Sequence, residues 1–261
     1  MAAKSRKLTF PGAYGDHLAA RLELPDDGEP LAYALFAHCF TCGKDVVAAT
    51  RIARGLAARG YGVLRFDFTG LGESGGDFAH THFSSNVDDL VLAADHLRSE
   101  YAAPTLLVGH SLGGAAVLAA AHRVPETRAV VTLAAPADPS NVERHLTAAA
   151  LEEIRSTGEA EVQLAGRPFR IRREFLDDIA DQPQHAHIEE LGIPLLVMHS
   201  PQDEVVDIDQ SRRIFVTARH PKSFVSLDGS DHLLTDRADA DWVAELLAAW
   251  ASRYLAHPAS T

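Results

Sequence analysis

The stretch from Thr105 to Gly114, TLLVGHSLGG, constrains this chain more than any other. A run of apolar and β-branched residues leads into Gly109-His110-Ser111-Leu112-Gly113, and an alanine-rich run, Ala115 to Ala121, follows at once. Strand, sharp turn and helix in that order, with serine at the turn, make the G-x-S-x-G elbow that presents a hydroxyl at the end of a sheet. Such a serine has strained backbone angles, so the positions two residues to either side must lack bulk. Gly109 and Gly113 meet that requirement, and Gly114 lets the helix lie close to the sheet. Ser111 is therefore the candidate nucleophile.

Around the elbow, strand-like and helix-like runs alternate, which predicts an α/β fold with a mostly parallel eight-stranded sheet and helices on both faces. Strands are expected at Lys7 to Phe10, Ala19 to Leu24, Leu31 to His38, Tyr61 to Phe68, Thr105 to Val108, Ala129 to Ala134, Leu195 to His199 and Ser223 to Leu227. The first two are expected to form an antiparallel hairpin. Helical spacing of apolar residues marks Asp45 to Arg59, Ser84 to Glu100, Ile208 to Ala218 and Asp239 to Tyr254. Ser84 or Ser85 suits the cap of the second of these, with Asp88 and Asp89 favouring its first turns. One domain spanning 1–261 accommodates all of them.

The alternation breaks between Pro136 and Ile193. Two helix-like pieces, around Val142 to Ser156 and Arg173 to Ile179, flank a hairpin of Glu161 to Leu164 and Pro168 to Arg172 turning at Ala165-Gly166. An insertion here sits above the C-terminal strand ends, where open α/β sheets bind ligands. Residues 137–192 therefore read as a cap, with Phe169 and Phe175, along with Leu164 and Ile171, as candidate pocket residues.

A serine nucleophile needs a base, and the base needs a partner that fixes its tautomer. Behind a G-x-S-x-G elbow the chain order is serine, acid, histidine, each just past a strand end. Asp203 follows the strand LLVMHS and His232 follows SFVSL, so they are the candidate acid and base. Asp207 is the rival acid, while His199 and His220 are weaker bases. Asp228 and Asp231 lie too close to His232 in sequence to orient it. The backbone N–H groups of Leu112 and of Phe40, in the loop after LAYALFAH, are the expected oxyanion donors. His38 reads as a pin for that loop, and Phe40 and His110 as substrate contacts. The glycine-rich DFTGLGES, residues 67–74, lacks the Lys-Ser/Thr of a phosphate loop and reads as a turn fixed by Asp67 and Ser74.

A formal net charge of −12 opposes nucleic-acid and anionic-membrane partners, and no apolar stretch is long enough to cross a bilayer. The first residues, MAAKSRKLTF, have no apolar run of a signal peptide, so a cytoplasmic location is expected. The two cysteines, Cys39 and Cys42, are too few for a structural zinc site, and read as loop packing ahead of a redox pair. No metal or cofactor is expected.

These motifs together resemble the α/β-hydrolase superfamily over essentially the whole chain. GHSLGG, DFTGLGES, HSPQD and SDHLLT are similar to that family in order and spacing. HCFTCGKD and RFDFTGLGESGG resemble the serine-esterase group related to serine aminopeptidases and feruloyl-type esterases. Cys39 and Cys42 stand where that group has the glycines of His-Gly-Phe-x-Gly. FAHCFTC, FDFTGLGES and AARHPKSFVSLDGSDHLLT look most similar to hydrolase domains fused to an OsmC-type domain, so such a domain is a partner in relatives. The resemblance implies hydrolysis of small carboxylic esters by Ser111, His232 and Asp203. Peptidase, thioesterase and C–C hydrolase activities share this machinery. A non-catalytic binding module and a thiol-redox enzyme are the readings of other classes.

Overall fold

The computed structural model describes residues 4–164 and 166–255. Its strands are β1 (Lys4–Pro11), β2 (His17–Leu24), β3 (Ala32–Ala37), β4 (Tyr61–Phe66), β5 (Pro104–His110), β6 (Ala129–Leu133), β7 (Glu159–Leu164), β8 (Arg167–Arg172), β9 (Leu195–His199) and β10 (Lys222–Ser226). The α-helices are α1 (Val47–Ala57), α2 (Phe83–Glu100), α3 (Leu112–Ala120), α4 (Ala148–Thr157), α5 (Arg173–Ala180), α6 (Gln184–Glu189), α7 (Ile208–Thr217) and α8 (Arg237–Leu255). Eight strands form one sheet in the order β1-β2-β4-β3-β5-β6-β9-β10. β2 runs antiparallel to both neighbours, and every other pairing is parallel. β7 and β8 pair with each other as a separate antiparallel ribbon.

The central strands explain this architecture. β4, β6 and β9 are buried at every residue, as parallel strands covered on both faces must be. One face packs against α2 and α3 through residues such as Leu35, Leu64, Leu107, Leu90 and Val117. The other packs against α1 and α8 through Phe36, Val63, Val108, Ile52 and Leu247. Residues one apart on a strand thus serve two cores.

Several element limits differ from the sequence expectation, each for a local reason. α2 starts at Phe83 because His82 caps it: the His82 ring accepts from the Ser85 amide, and the Ser85 hydroxyl accepts from the His82 amide. Ser84 instead gives its amide and hydroxyl to Asp178 of α5, at 2.9 and 2.5 Å. Asp89 serves no helix end; its buried carboxylate accepts from the amides of Ala13 and Thr69. The expected helix over Val142 to Ser156 divides into a 3₁₀ segment, Pro139–His145, and α4, because Leu146 is extended and Thr147 caps α4 by accepting from the Ala150 amide. The hairpin is present as β7 and β8, but Ala165 of its expected turn lies outside the described residues. Short α6 has no clear apolar period and was not expected.

The segment between β6 and β9 is fastened to the sheet domain at several points. Besides the Asp178–Ser84 bonds, Gln184 donates to the Ala115 carbonyl at 3.0 Å and Arg167 donates to the Thr41 carbonyl. It therefore has a fixed place over the C-terminal ends of β3 and β5.

Candidate active site

Strand β5 delivers Ser111 into a backbone conformation that side chains rarely adopt, with φ 55° and ψ −127°. The neighbouring glycines explain how the turn closes. A Cβ on Gly109 would lie 2.2 Å from the Gly113 carbonyl oxygen, and one on Gly113 would lie 2.4 Å from that of His38. Gly114 approaches Ala135, where a Cβ would meet another at 2.5 Å. The elbow thus packs backbone against backbone, and the N-terminus of α3 points its amides at the space beside the hydroxyl.

Three side chains from three strand ends meet there. His232 Nε2 is 3.0 Å from Ser111 Oγ, and its Nδ1 is 2.8 Å from Asp203 Oδ2. With Nδ1–H donating to the carboxylate, Nε2 is the acceptor for the serine proton. Burial alone would raise the Asp203 carboxyl, but hydrogen bonds from His199, His232 and the Val206 amide hold it well below the usual carboxylate range. The rival Asp207 is occupied elsewhere: its carboxylate accepts from the Asp209 amide and caps α7. Asp231 accepts from the Thr235 amide at 3.0 Å and from its hydroxyl. His220 is exposed.

Neither the Phe40 nor the Leu112 amide has an acceptor among the described residues. Both residues line, with Ser111 and His232, a cavity of about 430 Å³. Two free N–H groups beside a nucleophilic hydroxyl can receive developing negative charge. The loop that carries Phe40 is held from four sides. Cys39 and Cys42, read from sequence as loop packing, are joined in a disulfide across it. His38 is fully buried and its Nδ1 lies 2.8 Å from the Cys39 carbonyl, so it pins the loop as expected, and burial lowers its ring below the ordinary value. Lys44 and Arg167, neither identified from sequence, complete the set. Asp67 accepts from the Lys44 amide and ammonium, and from the Glu73 amide, so the glycine-rich turn and the Phe40 loop share one carboxylate.

The cavity is walled by Phe40, the Cys39–Cys42 bridge, Val142, Leu164, Val206 and Leu233, with Asn141, His145 and Gln163 as polar members. Of the expected substrate contacts, Phe40 and Leu164 reach it, whereas His110, Phe169 and Phe175 are outside its lining. Phe175 stacks on Phe40 with ring centres 5.4 Å apart, and Phe169 reaches Phe78 at 4.9 Å, so these rings support Phe40 from behind. His110 gives Nε2–H to the His232 carbonyl at 2.7 Å. Burial, then repulsion by His232, push its ring down to about 3, so it is a neutral fastener of the histidine loop. Val142, Val205, Val206 and Leu233 were missed from sequence. The signal for the last three is adjacency, since they immediately follow the acid and the histidine.

Comparison with known proteins places the chain by family and fold. The family model described as serine aminopeptidase, S33, matches residues 36–157. A crystal structure of the esterase domain from a Rhodothermus marinus protein superposes with TM-score 0.79 and 47% identity, covering 97% of this chain and 99% of that one. Est1E from Butyrivibrio proteoclasticus, solved with ferulic acid bound, shares the fold at TM-score 0.78 and 20% identity, covering 96% of this chain and all of its own. The mouse mitochondrial palmitoyl-protein thioesterase ABHD10 is 28% identical over 204 residues, 76% of this chain and 66% of that protein. The chain therefore spans about two thirds of the length of that relative. The fold and these matches define an α/β-hydrolase. Within that superfamily the chain belongs to the serine hydrolases.

Proposed function

We propose that this chain is a carboxylesterase-type enzyme that cleaves small carboxylic esters through an acyl-enzyme on Ser111. The observation that carries the reading is the His232 ring, which lies 3.0 Å from Ser111 Oγ and 2.8 Å from Asp203 Oδ2. Ser111 Oγ attacks the ester carbonyl while its proton passes to His232 Nε2, and Asp203 steadies the imidazolium. The carbonyl oxygen, now an oxyanion, accepts from the Phe40 and Leu112 amides at the N-terminus of α3. His232 then returns the proton to the departing alcohol. Water, activated by the same ring, releases the acid. No step calls for a metal or cofactor.

The segment 137–192 acts as a cap in this reading, supported by Asn141, Val142, His145, Gln163 and Leu164, which face the cavity. A thioester carbonyl suits the same attack, and the thioesterase relative favours it as a second substrate class. The kinship with hydrolases fused to an OsmC-type domain, and a cytoplasmic setting, remain parts of the proposal that rest on sequence resemblance and composition. The test is turnover of short p-nitrophenyl esters together with fluorophosphonate labelling. Ser111→Ala is expected to lose both while remaining folded. Undiminished turnover in that variant refutes the mechanism, and a wild type that neither labels nor turns over favours a binding module.

A further inference from the structure

The acid of this site has two histidines on it. Asp203 Oδ1 accepts from the amides of Val205 and Val206, at 2.8 and 2.9 Å. Oδ2 faces His232 Nδ1 at 2.8 Å and, on its other side, His199 Nε2 at 3.2 Å. His199 Nε2 is also 2.7 Å from the Val206 carbonyl. Both of these oxygens only accept, so Nε2 carries the hydrogen and shares it between them. The other ring nitrogen, Nδ1, meets Ser211 Oγ at 2.5 Å. His199 and Ser211 are wholly buried.

We infer that His199 is a positioning residue for the Ser111–His232–Asp203 set, acting only through the carboxylate; this rests on the esterase reading above. Its ring has both nitrogens engaged and no route to the cavity, so it cannot serve as the base. Its role follows from what the carboxylate would do without it. The backbone amides of the acid loop hold Oδ1, but a carboxylate held at one oxygen still rocks about its Cβ–Cγ bond. The His199 N–H holds the second oxygen and turns one Oδ2 lone pair toward His232. It also draws electron density from Oδ2, which moderates the pull of the carboxylate on the His232 proton. A loop acid thereby acquires an anchor in β9, a strand buried at every residue.

Other charged groups near this pair are accounted for. His110 at the end of β5 and His145 of the 139–145 turn both face it, and burial lowers both. Asp231 is turned to Thr235 and Glu204 is exposed. All of these stay the same when only position 199 is changed.

The experiment compares wild type, His199→Phe, His199→Gln and Ser211→Ala. The readouts are kcat and KM on a p-nitrophenyl ester, the pH profile of kcat/KM, and the low-field imidazole N–H signal in proton NMR. His199→Phe is expected to lower kcat between about tenfold and a hundredfold, with KM within about twofold, as misaligned catalytic groups do. Its pH profile and its low-field signal are both expected to move, because the carboxylate is then held through one oxygen only. His199→Gln can place an amide N–H near the same oxygen and is expected to recover most of kcat. Ser211→Ala, the gentler change, is expected to move both readouts by less, and it decides the matter if His199→Phe fails to fold. A folded His199→Phe, or a folded Ser211→Ala where the former is lost, with wild-type pH profile and N–H signal overturns the inference. Fluorophosphonate labelling separates the two failures. An unlabelled wild type overturns the esterase reading itself, whereas wild-type labelling with an unmoved variant profile overturns only the role of His199.

Discussion

Lys44 brings its backbone amide and its ammonium to the two oxygens of one buried carboxylate, Asp67, at 2.5 and 2.7 Å. Burial works against the Lys44 charge, yet the Asp67 and Glu73 carboxylates hold its ammonium above the ordinary value. The same carboxylate accepts from the Glu73 amide, so one ion ties the loop bearing Phe40 to the turn after β4. Replacing Asp67 by Asn keeps the shape and removes the charge. The expected cost is about 3 kcal/mol of stability, the lower end for breaking a buried pair, because Glu73 still faces Lys44. A kcat fall of about tenfold or more is expected as the Phe40 amide loses its place. Urea denaturation and steady-state kinetics check the two effects separately.

The Cys39–Cys42 bridge acts on the same loop by another route. Closing so short a loop limits the unfolded chain little, about 2 kcal/mol on the chain-entropy account. The bridge spans Phe40 and Thr41, and Thr41 sits at φ 61°, a conformation unfavourable for a threonine. Cys39→Ser with Cys42→Ser, or reduction of the wild type, is expected to lower kcat more than it lowers stability. Equal activity with and without a thiol reductant, at confirmed reduction, contradicts this.

The meeting of Ser111, Asp203 and His232 was legible in the sequence because Ser111 and Asp203 follow strands with clear apolar runs, His232 follows the shorter alternating SFVSL, and strand ends in a parallel sheet share one edge. The placement of Phe40 and Leu112 on one cavity with Ser111 was legible for the same reason, as main-chain positions fixed by their distance from β3 and β5. Contacts made by long side chains across the fold were not. Nothing local to Lys44 or Arg167 announces that one reaches Asp67 and the other the Thr41 carbonyl. Phe169 and Phe175 have the apolar character of pocket residues, and only the tertiary packing of β8 and α5 decides that Phe169 meets Phe78 and Phe175 stacks on Phe40. His199 was read as a weak alternative base, since sequence shows a histidine near the acid but not which atom it faces.

Gly113 tests how tightly the elbow depends on bare backbone. A methyl there would lie 2.4 Å from the His38 carbonyl oxygen and 2.6 Å from that of Ala37, and neither belongs to a side chain that can swing aside. Gly113→Ala is expected to lose about 3 kcal/mol or more, the upper part of the range for overpacking. Because the displaced atoms precede Phe40, fluorophosphonate labelling should also slow. Thermal unfolding and labelling rate together check this, and a variant as stable as wild type contradicts the backbone contact.

His110 gives the fold a pH dependence with a definite sign. Its ring releases its proton only at about 3 in the folded chain, against about 6.5 when unfolded. Between those values the unfolded chain binds more protons, so stability rises with pH through the window and is lost as pH falls through it. The slope from this one group is at most about 1.4 kcal/mol per pH unit. His110→Gln removes the titration but keeps an N–H for the His232 carbonyl. The lowered rings of His38, His145 and His187 remain in both proteins and cancel in the difference. Urea unfolding at a series of pH values from about 4 to 7 is therefore expected to show wild-type stability falling faster on acidification than that of the variant. Parallel curves would mean that the ring beside Ser111 charges in the folded protein as readily as in the unfolded one.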